Sequence, residues 1–134
     1  MEDIFVARLM SDGVVSVSPD TLVEDAANKL MQLEISSLVV VDSDNHLEGI
    51  LTTSDFVSIV AESQPKAETS VERYMTDQVV TVGAQDSIRD AADKMITDGI
   101  HHLPVVDEES GVIGMLSTTD LTSYLSDVKQ PSPA

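Results

Sequence analysis

The heptapeptide GILTTSD at residues 49–55 returns 65 positions later as GMLSTTD at residues 114–120. The same offset aligns residues 6–60 with residues 71–125 without a gap, and 21 of the 55 aligned positions are identical. A tandem duplication of this kind predicts two copies of one structural unit. We expect a pseudo-twofold axis to relate the copies, and any pocket between them to occur in two related versions.

The length and composition limit what the chain can be. With 134 residues there is room for one compact domain, and halves of about 60 residues would be marginal alone, so we expect the copies to share a core. No apolar run approaches the roughly 20 residues that cross a bilayer, and Met1-Glu2-Asp3 is no start for a cationic signal peptide. We therefore expect a cytoplasmic protein that does not bind membranes. The absence of cysteine excludes disulfides and thiolate chemistry.

The charge balance is strongly acidic, with 24 Asp and Glu residues against 7 Lys and Arg residues and a formal net charge of −17. Such a surface repels nucleic acid. At about 1 M salt the screening length falls to roughly 3 Å, and a compact state then tolerates its own charge repulsion. Because lysine is so sparse, we expect a protein from a halophile, although an acidic mesophilic protein is the alternative.

The apolar pattern of each copy predicts a strand, a helix, two strands and a second helix. Valines indicate the first strand in both copies: Val14, Val15 and Val17, then Val79, Val80 and Val82. Helical spacing follows, starting in the first copy at Thr21, which forms a capping-box pattern with Glu24. In the second copy, Gly99 is expected to end the helix.

Two further strands and a helix complete each copy. Buried strands are predicted at residues 38–41 and 103–106, each joined by a hairpin to a third strand at residues 47–51 or 112–116. Hydroxyl and carboxylate groups then mark the start of the second helix. The predicted organisation is a first motif at 1–60, a linker at 61–70, a second motif at 71–126 and a flexible tail at 127–134.

These residues resemble a known family, the cystathionine-β-synthase (CBS) domain, which occurs as tandem pairs called Bateman modules. The resemblance covers nearly the whole chain, and its motifs occur in order in both copies. It rests on the following segments: Arg8-Leu9-Met10-Ser11 and Arg73-Tyr74-Met75-Thr76, Asp25-Ala26-Ala27 and Asp90-Ala91-Ala92, residues 99–107, and the Gly-x-x-Thr/Ser-x-x-Asp segments that begin at Gly49 and Gly114.

The resemblance implies an α/β (α+β) fold of two β-α-β-β-α repeats with clefts that bind adenosine-containing ligands. It also implies a homodimer that forms a four-motif disk. By resemblance, adenine would lie against the first strand's entry, at Val14 and Val15 or Val79 and Val80, although these valines are equally explained as core residues.

The paired motifs Thr52-x-x-Asp55 and Ser117-x-x-Asp120 also have a physical interpretation of their own. A carboxylate has two acceptor oxygens and a ribose offers two adjacent hydroxyl donors, so Asp55 and Asp120 can each grip a sugar. The hydroxyl three residues earlier, with unpaired N–H groups at the helix start, can face a phosphate. The alternative is a capping box that only stabilises the helix, and both roles can coexist.

The second copy has His101-His102 at the positions where the first copy has Ser36-Ser37. By resemblance, these residues face the nucleotide whose ribose is held by the aspartate of the other copy. His101 and His102 would then share a cleft with Asp55, and Ser36 and Ser37 with Asp120; this is called here the crossed partnership. In an extended segment neighbouring side chains point to opposite faces, so we expect one histidine to enter the cleft. We expect the histidine cleft to accept a phosphate, and the serine cleft, with no cation, to prefer adenosine, a methylthio derivative or the sulfonium of S-adenosylmethionine. The alternative is a pair of partly exposed histidines with no ligand.

Several other residues have simpler explanations. His46 is expected to be a solvated loop residue, and the methionines at 10, 31, 75, 95 and 115 to fill the core. We expect no metal site, since no ligand set with suitable spacing lies near the histidines.

Enzyme motifs are missing, including a phosphate-binding P-loop, a nucleophile elbow and a zinc-binding H-E-x-x-H helix. The sequence therefore predicts a regulatory module, not an enzyme, with no required cofactor and an effector of the AMP, ADP, ATP, NAD or S-adenosylmethionine class. Its regulated partner would be a separate protein. The alternative is a dimerisation or docking scaffold with empty clefts.

Overall fold

The computed structural model describes residues 4–62 and 68–126, and the chain divides into two compact units. One unit comprises residues 15–79 and is called here the first-repeat unit. The other comprises residues 1–14 and 80–134 and is called the second-repeat unit. The predicted tail at 127–134 and most of the linker lie outside the described residues.

The elements follow the predicted order, except that the second repeat has no first strand among them. They are α1 (Val6–Leu9), β1 (Ser16–Val17), α2 (Val23–Leu33), β2 (Ser37–Val41), β3 (Leu47–Thr52), α3 (Thr53–Glu62), a 3₁₀ turn (Val71–Arg73), α4 (Ile88–Asp98), β4 (His102–Asp107), β5 (Gly111–Ser117) and α5 (Thr118–Leu125). The fold is therefore the predicted mixed α/β arrangement of two repeats. Helix α3 extends two residues into the predicted linker.

The first-repeat unit contains a three-stranded sheet in the order β1-β2-β3. Strand β1 is parallel to β2, and β2 is antiparallel to β3, with Ser37 opposite Thr52. Helices α2 and α3 bury Ala26, Leu30 and Ile59 with the sheet's Leu38 in one apolar cluster. On each helix, apolar residues three or four positions apart form this buried face, because residues at that spacing lie on one side of a helix.

The second-repeat unit contains the antiparallel pair β4-β5, with His102 opposite Ser117. Its predicted first strand is reduced to one parallel bridge between Val82 and Val105. A second buried cluster forms around Leu103, Leu116 and Met95. Each unit thus has a hydrophobic cluster of its own, and each cluster contains residues of both sequence copies, as expected for copies that share a core.

The segment that begins each sequence copy packs in the unit formed mainly by the other copy. Val6 is fully buried in the second-repeat cluster, and Ser11 exchanges two backbone hydrogen bonds with Met115 at 2.8 and 2.9 Å. Likewise Val71 is buried in the first-repeat cluster, and Thr76 exchanges two bonds of 2.9 Å with Ile50. Halves of this size are marginal alone, and the chain completes each cluster with residues from the neighbouring sequence copy.

The start of helix α2 differs from the prediction. Its N-cap is Leu22, which has no side-chain cap, whereas Thr21 Oγ1 accepts a hydrogen bond from Ser18 N at 3.2 Å. In the second copy the equivalent N-cap is Ser87, whose hydroxyl accepts from Asp90 N at 3.1 Å. The capping box predicted for Thr21 is therefore wrong because the N-cap falls one residue later, on a leucine.

Burial divides the predicted core methionines. Met95 and Met115 are buried, but Met31 is 71% exposed on helix α2, so its assignment to the core is wrong. Met10 and Met75 are partly buried, and each covers a glycine of the other sequence copy, Gly114 or Gly49. The sulfur of each lies 2.6 Å from where a Cβ would stand on its glycine, so a side chain at either glycine would displace the methionine.

Candidate functional site

Both Thr/Ser-x-x-Asp motifs lie where a strand passes directly into a helix. Strand β3 ends at Thr52 and strand β5 ends at Ser117, and Asp55 and Asp120 lie in the first turns of α3 and α5. Asp55 Oδ2 accepts hydrogen bonds from Thr52 N at 2.7 Å and Thr52 Oγ1 at 3.4 Å. Asp120 Oδ2 accepts from Ser117 N at 2.8 Å and Ser117 Oγ at 3.0 Å. The two motifs therefore form the same local arrangement.

Both motifs cap the helix that follows them, and in α5 the capping box is complete. In α5, Asp120 N also donates to Ser117 Oγ at 3.2 Å, which makes a full capping box. Among the described residues, the hydrogen bonds to the side chains of both aspartates go to Oδ2. Oδ1 accepts none of them, so each carboxylate has one oxygen, with two lone pairs, that the cap does not use.

The hairpins bring the predicted serine and histidine pairs to these motifs. Ser37 is the cross-strand partner of Thr52, and Thr53 N donates to Ser36 O at 3.1 Å. Cross-strand partners project from the same face of a sheet, so Ser37 and Thr52 share a face.

The second-repeat unit repeats this arrangement. His102 is the cross-strand partner of Ser117, and Thr118 N donates to His101 O at 3.0 Å. Serines therefore accompany Asp55, and histidines accompany Asp120. The predicted crossed partnership joins residues of different units and stays a prediction. The grouping within a unit was not predicted from the sequence, although a hairpin always places the start of one strand opposite the end of the next.

Beside the second motif, the pKa values of His102 and Asp120 are shifted. Burial lowers the pKa of His102 below its ordinary value of 6.5, nearby His101 lowers it further, and Asp120 opposes both. Burial raises the pKa of Asp120 above its ordinary value of 3.8, against the hydrogen bonds from Ser117 and the charge of His102. His101 is exposed whereas His102 is half-buried, as expected for neighbours in an extended segment. Opposed shifts of this kind are typical of groups in a functional site.

Beside the first motif, Ser37 has an unusual buried hydroxyl. Ser37 is 3% exposed, and its Oγ has no hydrogen-bond partner among the residues described. Leaving a buried hydroxyl unpaired costs on the order of 1–3 kcal/mol. A ligand that supplies a donor or acceptor at this position would recover that free energy.

The predicted adenine-facing valines are half-buried in both units. Val15 packs against the first-repeat cluster and Val80 against the second-repeat cluster, so the core interpretation is correct for these two. Val14 and Val79 belong to the opposite units from Val15 and Val80, because the chain passes between units at these positions. A contact of any of the four with adenine stays a prediction.

The turn between β2 and β3 holds a compact polar group. Asp42, Asp44 and His46 bring possible metal-ligand atoms within 4.8 Å of one another. The Asp42 carboxylate accepts from Asp44 N at 2.8 Å and His46 N at 2.9 Å, and its second oxygen lies 3.3 Å from His46 Nδ1. These bonds stabilise the turn and account for the grouping. His46 is exposed, as predicted.

Comparison with known proteins agrees with this architecture. The family model for the CBS domain matches twice, at residues 6–62 and 71–127. The chain belongs to the CBS domain family. It is therefore a tandem CBS pair, or Bateman module, as the sequence motifs predicted. Among the described helices, none combines the length and the apolar character needed to cross a bilayer.

Particular relatives extend the comparison. The chain is 34% identical over 123 residues to an uncharacterized 17.7 kDa protein of Acidianus ambivalens, covering 92% of this chain and 74% of that one. It is 36% identical over 126 residues to a homoserine O-acetyltransferase of Methanocorpusculum labreanum, but spans only 24% of that longer protein. Among solved structures, the CBS domain pair of protein MJ0100, in complex with 5′-methylthioadenosine and S-adenosyl-L-methionine, matches with a TM-score of 0.85 and 25% identity. That match covers 92% of this chain and 97% of the other.

Proposed function

We propose that this tandem CBS module is a regulatory protein that binds adenosine-containing metabolites and passes their occupancy to a separate partner protein. The ligand class is that of AMP, ADP, ATP, NAD or S-adenosylmethionine. One observation carries the proposal. Asp55 and Asp120, 65 residues apart, have the same hydrogen-bond arrangement, in which Oδ2 caps a helix and Oδ1 accepts no bond from the described residues.

The capping bonds refine how a ribose would be held. A grip that uses one carboxylate oxygen for each sugar hydroxyl competes with the cap for Oδ2. Oδ1 has two lone pairs, so it can accept both the 2′ and the 3′ hydroxyl while Oδ2 keeps the helix start in place. Capping then positions the binding carboxylate, and the two roles support each other.

The groups around each aspartate suggest different ligands. His102 beside Asp120 can donate to a phosphate, and a phosphate would favour the protonated imidazole that burial disfavours. Ser37 beside Asp55 offers only a neutral hydroxyl. We therefore expect a phosphate-bearing nucleotide with Asp120 and a neutral or sulfonium adenosyl compound with Asp55. The crossed partnership predicted from the resemblance gives the opposite assignment.

A calorimetric titration of the folded protein against AMP, ATP, NAD, 5′-methylthioadenosine and S-adenosylmethionine tests the proposal. Asp120→Asn should weaken AMP binding by about tenfold or more and leave 5′-methylthioadenosine binding nearly unchanged, whereas Asp55→Asn should do the reverse. Ser87→Ala is the matched control, because it removes a helix cap from the same unit as Asp120 without touching the motif. It should cost about 1 kcal/mol of stability but no affinity.

The possible results separate the hypotheses. A folded protein that binds none of the five compounds would refute the sensor and favour the scaffold. Exchange of the two ligand preferences would favour the crossed partnership. We also propose that the module carries out no catalysis, and conversion of ATP or AMP by the purified protein would contradict this.

Apolar grooves between the helices support dimerisation as part of the same proposal. The groove between α4 and α5, the α4–α5 groove, measures about 140 Å³ and includes Ile88, Leu121 and Leu125. The groove between α2 and α3, the α2–α3 groove, measures about 100 Å³ and includes Val23, Phe56 and Val60.

Both volumes are below the roughly 300–1,000 Å³ of small-molecule pockets, so side chains of a second protein fit them better than a nucleotide. A ligand could signal by binding one arrangement of the dimer more tightly than another.

A further inference from the structure

A cavity of about 450 Å³, called here the first-repeat cavity, lies at one end of the sheet of the first-repeat unit. Strand β1 ends at Val17 and strand β2 ends at Val41, and both residues line the cavity. These strands are parallel, so their carboxyl ends meet at this edge, whereas Thr52 lies beside the start of β2 at the opposite end. Ligands of α/β sheets commonly bind outside the carboxyl ends of parallel strands, and small-molecule pockets measure roughly 300–1,000 Å³. The cavity therefore has the place and the size of a second ligand site.

Two opposite charges line the first-repeat cavity without pairing with each other. Lys29 reaches it from helix α2, and its Nζ donates to Ser16 O at 3.4 Å, which is longer than a usual hydrogen bond. Asp42 reaches it from the end of β2, and its carboxylate lies 3.3 Å from His46 Nδ1. Within residues 4–62 and 68–126, Lys29 and Asp42 form no ion pair with each other. A molecule with an anionic end and a cationic end can therefore contact both side chains.

Hydroxyl groups supply the rest of the polar lining, from Ser16, Ser18, Thr21 and Ser43. A hydroxyl can donate to a carboxylate and can also accept from an ammonium group. The hydrogen bond from His46 N lowers the pKa of Asp42 below its ordinary value of 3.8, so this carboxylate is ionised at neutral pH. The cavity thus offers one cation, one anion and several neutral groups that suit either end of a ligand.

The second repeat keeps the cavity but changes its chemistry. The equivalent cavity measures about 530 Å³. Of the described residues, three acidic ones and no lysine or arginine line it, namely Asp86, Asp107 and Glu108. Two of these three replace hydroxyl residues of the first repeat. Lys94, the equivalent of Lys29, donates to Thr81 O at 2.9 Å and does not line this cavity. A ligand that bears a carboxylate is repelled here, so the first-repeat cavity is the one that suits it.

We propose that the first-repeat cavity binds a small zwitterion of the α-amino-acid class, with its carboxylate at Lys29 and its ammonium group at Asp42. Each end then forms a charge-assisted hydrogen bond. A ligand with anionic groups alone would place negative charge beside Asp42, and a polyamine would place positive charge beside Lys29, so neither matches both ends. This site is separate from the two aspartate motifs, and it goes beyond the proposed function.

An NMR titration of the isotope-labelled protein with L-alanine tests the proposal. L-Alanine should shift the backbone amide signals of Ser18 and Asp42 in a saturable way. Propionate lacks the ammonium group and ethylamine lacks the carboxylate, so each should bind at least about tenfold more weakly than L-alanine. The three titrations share one KCl concentration, because salt screens both charges of the site.

Three variants assign the binding to this cavity. Lys29→Met keeps most of the side-chain length but removes the charge, and it should weaken L-alanine binding about tenfold or more. Lys94→Met is the matched control, because it makes the same change at the equivalent position outside the cavity, and it should leave the affinity unchanged. Thr21→Asp introduces a carboxylate that lines the equivalent cavity of the second repeat, and it should also weaken binding.

The contrary results are equally distinct. Propionate binding as tight as that of L-alanine would overturn the zwitterion, and an unchanged affinity of Lys29→Met would overturn the role of the lysine. The absence of saturable shifts at Ser18 and Asp42, or shifts at Thr52 and Asp55 in their place, would overturn the site. The titration contains no adenosyl compound, so its failure leaves the proposed function standing.

Discussion

Replacing Gly49 with alanine should destabilise the protein more than the same replacement at Gly114 or Gly13. A Cβ at this position would stand 2.8 Å from the Thr76 carbonyl oxygen and 2.6 Å from Met75 Sδ. The thioether can move aside, because methionine is flexible. The carbonyl cannot, because Thr76 is held to Ile50 by two backbone hydrogen bonds of 2.9 Å.

The distances give the size of the effect. The carbonyl must retreat about 0.6 Å, from 2.8 Å to the 3.4 Å at which ordinary contact begins. Overpacking of this kind costs about 1–3 kcal/mol. Stretching two backbone bonds adds about 1 kcal/mol, so we expect a total loss of about 2–4 kcal/mol. At Gly114 the nearest backbone atom is Ser11 O at 3.0 Å, so Gly114→Ala should cost less, about 1–2 kcal/mol.

Urea denaturation followed by circular dichroism measures these losses as midpoint shifts at constant slope. Gly13→Ala is the matched control, since a Cβ there meets nothing within 4 Å, and it should change the stability by less than about 0.5 kcal/mol. If Gly49→Ala is no less stable than Gly13→Ala, the segment around Thr76 does not hold strand β3 in the way described. Since β3 ends at Thr52, we also expect the destabilised variant to bind the proposed adenosyl ligand more weakly.

Three further predictions concern ionisation, the helix end and salt. Burial lowers the pKa of His102, so the unfolded chain protonates there at a higher pH than the folded chain, and the free energy of unfolding should fall as pH drops through about 6.5. His102→Ser, the residue of the first repeat, should flatten that fall in pH-dependent urea titrations, whereas an unchanged slope would contradict the buried imidazole. Glu34 ends α2 in the left-handed region at φ 54°, where the second repeat has Gly99 at φ 64°, so Glu34→Gly should stabilise the protein by about 1 kcal/mol in the same assay. The melting temperature should rise between low and molar KCl if the charge of −17 is an adaptation to salt, and a flat profile would remove the halophile hypothesis.

Much of the candidate site followed from the sequence because its signals are local. The step from strand to helix at Thr52 and Ser117 is marked by the change from apolar run to hydroxyl and carboxylate, and these residues interact within four positions of one another. The cap at Thr21 was misplaced by one residue, because a hydroxyl just before a helix can serve the preceding turn as well. The exposure of Met31 was missed because an apolar residue at helical spacing predicts a buried face, whether or not another element covers it.

By itself, the sequence determined the repeat, the order of elements, the family and the two aspartates, since each depends on residue identity over short spans. The tertiary structure decided which segments complete each unit and which groups stand beside each aspartate. The reason is physical: these outcomes depend on strand register and on packing between residues about 15 to 100 positions apart, and no periodic pattern in the sequence specifies such contacts.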